Sequence, residues 1–83
     1  MAKVYFSPNS QKLFNKIKDK KTKNKIKAGI SKLTINPYAG KKLEGEFEGQ
    51  YSIRTWPYRI VYYISKDKNV IITDIGHRKE IYR

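Results

Sequence analysis

The sequence predicts an α+β domain in which two N-terminal helices pack on one face of a four-stranded antiparallel sheet, in the order β-α-α-β-β-β. Three observations predict it. The chain has 83 residues, room for one small core and no second domain, so residues 1–83 read as a single unit. Apolar residues recur at helical spacing in the first half, as Leu13, Phe14 and Ile17 and then as Ile26, Ile30 and Leu33. From Tyr51 onward the period changes to two, the alternation of a half-buried strand.

The first element, Lys3 to Phe6, reads as a short strand with Val4 and Phe6 on one side and Lys3 and Tyr5 on the other. Ser7, Pro8 and Ser10 form a helix start, with proline tolerated in the first turn and a hydroxyl available as a cap. The polar run Lys18 to Lys21 ends that helix, and a second follows from about Thr22 to Leu33. Asn36 and Pro37 stop it. Residues 38–50, YAGKKLEGEFEGQ, hold three of the five glycines and read as a loop leading into the sheet.

Three strands then follow, Tyr51 to Thr55, Tyr58 to Ile64 and Val70 to Ile75, with turns at Trp56-Pro57 and at Lys66 to Asn69. A two- or four-residue loop centred on Trp56 and Pro57 sets Thr55 opposite Tyr58, Arg54 opposite Arg59 and Ile53 opposite Ile60. Directly opposed residues share a face. Tyr51, Ile53, Tyr58, Ile60, Tyr62 and Ile64 are thus expected under the helices, while Ser52, Arg54, Arg59, Val61 and Tyr63 occupy the other side. Across the second turn the same arithmetic sets Ser65 opposite Val70 and Arg59 opposite Gly76. It sends Gly76, His77 and Arg78 out beside Arg59, with Tyr82 four residues later.

Charge separates the two halves. Lys plus Arg number 19 against 7 Asp plus Glu, a net +12. Residues 1–42 hold twelve lysines and one acid, Asp19, whereas residues 43–83 are nearly balanced. Lysine-rich helix faces are usually just solvated, and that is the default reading for these. The arginines differ, because all four, Arg54, Arg59, Arg78 and Arg83, fall after residue 53 in a chain that otherwise uses lysine. Guanidinium offers a planar fork that grips two phosphate or carboxylate oxygens at once. Two arginines directly opposed across a strand pair repel, a cost that a bound anion removes.

Composition also excludes. With no cysteine there is no disulfide framework, no thiolate metal site and no cysteine nucleophile, and His77 alone cannot build a zinc site. No segment has the length of a signal peptide's apolar core or of a membrane span, which predicts a cytoplasmic protein with no membrane partner and no cofactor.

The segment KKLEGEFEGQYSIRTWPYRIVYYI, followed by IGHRKEIY, resembles the RelE/ParE superfamily of toxins from type II toxin-antitoxin pairs, most closely its RelE-like messenger-RNA-cleaving branch. The pattern is a K-L-x-G loop, a Y-x-I-R strand, Y-R-I-V-Y in the next strand and G-H-R-K-x-x-Y near the end. The resemblance covers about half the chain and implies an mRNA interferase acting on the ribosome, held in check by an acidic antitoxin. It implies catalytic roles for Arg54, Arg59, Arg78, His77 and Tyr82. Base stacking and positive charge add Ser52, Trp56, Tyr63, Lys41, Lys42 and Lys79 as candidate RNA contacts. Ser52 is a departure, since some relatives carry another lysine there. Two other functions fit the same superfamily: a ParE-like inhibitor of DNA gyrase, and a catalytically silent binding module.

A ribonuclease of this kind needs no metal, because RNA carries its own nucleophile. The protein must assist deprotonation of the 2′-hydroxyl, steady the extra charge on five-coordinate phosphorus and protonate the leaving 5′-oxygen. Arg59 is expected on the nonbridging oxygens, Arg78 on the phosphate and leaving group, and Arg54 in support of the nucleophile. His77 is a candidate acid or base, and Tyr82 a stacking or proton-transfer partner.

Overall fold

The structure, a computed structural model, describes residues 2–77. The elements run β1 (Val4–Phe6), α1 (Pro8–Lys16), α2 (Lys20–Ile35), β2 (Lys41–Lys42), β3 (Tyr51–Thr55), β4 (Tyr58–Ile64) and β5 (Val70–His77). Single 3-10 turns at Pro37–Ala39 and Gly45–Phe47 flank β2. The sheet has five strands in the order β1-β5-β4-β3-β2, and β1 lies parallel to β5. The α+β class and the two helices agree with the sequence; four strands and an all-antiparallel sheet do not. One short element accounts for both differences. The residues of β2 lie in the stretch read as loop, yet they pair antiparallel with β3, Lys41 opposite Ser52 and Lys42 opposite Tyr51. When each connection reverses the chain, an extra strand changes the parity, and β5 ends parallel to β1 instead of antiparallel.

Local chemistry fixes both helices. Ser7 caps α1 by accepting from the Ser10 N–H at 3.1 Å, with Pro8 in the first turn. The buried Ser10 hydroxyl donates to the Ile72 carbonyl at 2.8 Å, and the Ser7 N–H donates to the same oxygen at 2.9 Å, so the start of α1 is tied to β5. Helix α2 begins two residues before the expected Thr22 because Asp19 caps it. The Asp19 carboxylate accepts from the Thr22 hydroxyl at 2.6 Å, and that bond is the main cause that lowers its pKa. At the other end Asn36 accepts from the Tyr38 N–H, turning the chain out of the helix.

Ile17, Ile26 and Leu33 from the helical layer meet Ile60, Tyr62, Val70, Ile72 and Ile75 from the sheet in one core. Tyr51, Ile53, Tyr58 and Ile64 pack against its margin, so the inferred helix-facing side of β3 and β4 is the observed one. Gly29 lets α2 approach β3 closely. A Cβ there would stand 2.6 Å from the Thr55 methyl carbon. No helix of the described residues is long and apolar enough to cross a membrane.

Candidate functional site

The β3–β4 hairpin has the inferred register. Its turn is the Trp56-Pro57 pair with a cis peptide bond, and Thr55 faces Tyr58, Arg54 faces Arg59, and Ile53 faces Ile60. Between β4 and β5 the expected register holds at the arginine end and fails at the turn end. Arg59 is opposite Gly76 and Ile60 opposite Ile75, as the arithmetic required, but Ile64, not Ser65, faces Val70. An irregularity beside Val61 and Tyr62 absorbs the difference, leaving Thr73 outside the pairing. The Thr73 hydroxyl donates to the Val61 carbonyl at 3.2 Å. Uniform counting across a turn cannot anticipate a bulge.

The face turned away from the helices carries two rows near this end of the sheet. The first is Arg54, Arg59 and Gly76; the second is Lys41, Ser52, Val61 and Asp74. Arg54 is exposed and Arg59 half-buried, with guanidinium groups starting from directly opposed positions. Gly76 is buried and brings no side chain to the row. Ser52 and Val61 form a low floor beside it, only 4% and 5% exposed, and the Ser52 hydroxyl makes no hydrogen bond among the described residues.

His77 does not join these rows. It is opposite Tyr58, one position along from Gly76, and its ring meets the Tyr58 ring edge-on at 5.9 Å between centroids. Histidine and arginines therefore share an end of the sheet but occupy opposite faces. Arg78, Lys79 and Tyr82 lie outside the described residues.

The other candidates separate by position. Trp56 projects at the hairpin tip, 55% exposed, next to the arginine row. It lines a groove between α2 and β3 together with Lys25, Lys32 and Arg54. Tyr63 is 40% exposed on the arginine face, but four residues from Arg59 along β4, roughly 13 Å at the rise of a strand. Lys42 pairs with Tyr51 in a helix-side row, while Lys41 belongs to the arginine face.

Two features of this site went unread in the sequence. Asp74 sets a carboxylate on the arginine face, opposite Val61 and diagonal to Arg59, where the same register arithmetic puts it because the bulge lies beyond this pair. The backing of the sheet also depends on Tyr62, whose fully buried phenol donates to the Pro37 carbonyl at 2.7 Å and accepts from the Gly40 N–H at 3.0 Å. Tyr62 stacks on Tyr51 at 5.4 Å, and the two hydrogen bonds hold the segment that delivers β2. Burial pushes the Tyr62 phenol's pKa up.

Comparison with known proteins agrees with this architecture. The family model described as the ParE toxin of type II toxin-antitoxin systems, parDE, matches residues 4–82. Among solved structures, the chain is similar to one in the RelBE2 toxin-antitoxin complex from Mycobacterium tuberculosis, with TM-score 0.80, 25% identity, and coverage of 93% of this chain and 98% of that one. It is similar to one in the RelB-RelE antitoxin-toxin complex from Methanococcus jannaschii, with TM-score 0.74, 26% identity and 95% of each chain covered. For the YoeB-YefM complex from Staphylococcus aureus the TM-score is 0.79 over 94% of this chain and 98% of that one, at 22% identity, a likeness of fold alone. No curated protein matches the chain by sequence.

Proposed function

The chain belongs to the ParE toxin family of type II toxin-antitoxin systems, and on that premise we propose that it is a toxin that cleaves messenger RNA on the ribosome through attack of the RNA's own 2′-oxygen. Fold and family leave the target open, because one fold supports different activities. The observation that carries the reading is the Arg54–Arg59 pair, two arginines at directly opposed positions on the open face of the sheet. Opposed like charges destabilise a strand pair. A phosphate held between them reverses that term and gains charge-assisted, forked hydrogen bonds.

In this reading Arg59 grips the nonbridging oxygens and Arg54 stabilises charge on the attacking side, so both act most strongly on the five-coordinate transition state. The register turns His77 toward Tyr58 and away from the pair. The proton for the leaving 5′-oxygen is therefore assigned to Arg78 or Tyr82. Trp56 offers a base a stacking surface beside the arginines.

A cognate antitoxin is the proposed partner, since the RelBE2, RelB-RelE and YoeB-YefM structures are toxin-antitoxin complexes. The net charge of +12 calls for an acidic one. The match to the ParE family favours one second reading, a toxin that inhibits DNA gyrase without cutting anything. Incubating purified protein with translating ribosomes and mapping new RNA ends, beside a gyrase supercoiling assay, separates the two. New ends with unaffected supercoiling support the ribonuclease; inhibited supercoiling without new ends supports the gyrase inhibitor.

A further inference from the structure

We propose that Lys41, from the two-residue strand β2, is a third cation at the reacting phosphate, acting with Arg54 and Arg59. This inference rests on the ribonuclease reading above. Lys41 is directly opposite Ser52, and Ser52 is two residues before Arg54 on the same strand, so all three share the open face. From a cross-strand position a diagonal neighbour stands about 7–8 Å away, within reach of a long side chain. Nothing bulky intervenes, because the residues between are Ser52 and Val61, both buried and short.

A second observation points the same way. The Ser52 hydroxyl belongs to a residue that is 96% buried and makes no hydrogen bond among the described residues. An acceptor in that position lacks a donor, and the side-chain donor directly across the strand pair is the Lys41 ammonium. Lys41 is itself exposed and makes no bond to that hydroxyl in this structure; laid over Ser52 in the RNA-bound protein, its ammonium turns toward the arginine row. The Asp74 carboxylate in the same row does not compete for it. Three strand spacings, roughly 14 Å, separate the two positions.

As β3 supplies one arginine and a serine, the remaining positive charge comes from its neighbour in the sheet. An ammonium placed there meets charge that grows as phosphorus becomes five-coordinate, so it lowers the barrier more than it tightens ground-state binding. The parity change that β2 imposes on the fold and the delivery of this cation are then two consequences of the same two residues.

The test is steady-state cleavage of a defined messenger RNA on programmed ribosomes by the full chain and four variants. Lys41→Ala should lower kcat about a hundredfold with KM little changed, at the low end of what loss of one transition-state donor costs. Lys41→Arg should restore most of the rate. Lys66→Ala removes the same charge from the exposed turn at the far end of β4 and should leave both constants within about twofold of the parent. Arg59→Ala monitors the underlying reading and should be inactive, with all four variants unfolding at the parent's temperature. If Arg59→Ala is inactive but Lys41→Ala matches Lys66→Ala, the proposal for Lys41 is overturned and the ribonuclease site stands. If the parent does not cleave, or Arg59→Ala cleaves normally, the site reading falls and Lys41 falls with it.

Discussion

Arg54 and Arg59 occupy directly opposed positions on neighbouring strands, on the face of the sheet that the helices leave open. Like charges set directly opposite across a strand pair are destabilising. Arg54→Ala should therefore leave the melting temperature unchanged or slightly raised while lowering RNA cleavage by about 10²–10³. Thermal unfolding and a cleavage assay on the same preparation check both halves. An Arg54→Ala protein that melts early and cleaves normally would make the arginine a scaffold residue.

The two faces of β4 predict unequal costs. Ile60 is fully buried within the core, so Ile60→Ala should destabilise by about 2–5 kcal/mol. Val61 is buried on the opposite face and outside that core, and Val61→Ala should cost only about 1.5 kcal/mol for the two methyl groups lost. Urea denaturation gives both values. A larger loss at Val61 than at Ile60 would contradict the assignment of faces.

Gly29 and Thr55 should be coupled. Gly29→Ala gains about 1 kcal/mol of helix propensity but drives a methyl group against the Thr55 methyl at 2.6 Å, which costs about 1–3 kcal/mol. The single variant is expected to be destabilised. In a Thr55→Ser background, where that methyl is gone, the same change should become neutral or stabilising, and a double-mutant cycle should return at least about 0.5 kcal/mol of coupling. Additivity would mean that α2 does not pack on β3 through this contact.

Tyr62 ties fold stability to alkaline pH. Its phenol is buried and its pKa raised above the usual 10.0, chiefly by desolvation, so the neutral form is the one the fold prefers. This contribution is fully present below the unfolded pKa near 10.0 and declines as pH rises through the higher folded value. Tyr62→Phe should cost about 1–3 kcal/mol at neutral pH, because the Pro37 carbonyl and Gly40 N–H lose their partner. The gap between parent and variant should narrow as pH rises past the unfolded value of 10.0. A gap that widens there would reverse the sign of the argument.

Much of the arginine end could be read from the chain, because a two-residue turn and strict alternation leave Arg54 opposite Arg59 with little freedom. What escaped reading has specific causes. Lys41 and Lys42 form a strand too short to show alternation, inside a stretch whose glycines and acids read as loop, and missing it cost the parity of β1. The bulge beside Tyr62 preserved the expected Arg59–Gly76 pairing while moving Ser65 into the turn. His77 shows the limit of proximity in sequence. One residue past Gly76 means the other face of the sheet, so a histidine expected beside the arginines meets Tyr58 instead.

The central claim, that the RNA's own 2′-oxygen attacks a phosphate held by Arg54 and Arg59, is tested most directly by the chemistry of the ends it leaves. The account predicts a 2′,3′-cyclic phosphate, or its opened 3′-phosphate, beside a 5′-hydroxyl. It also predicts that a substrate with 2′-deoxy or 2′-O-methyl at the scissile nucleotide resists cleavage, and that EDTA leaves the step unaffected on a substrate presented free of the ribosome. Ends bearing a 5′-phosphate made directly by this protein, or efficient cutting of the deoxy substrate, would contradict it.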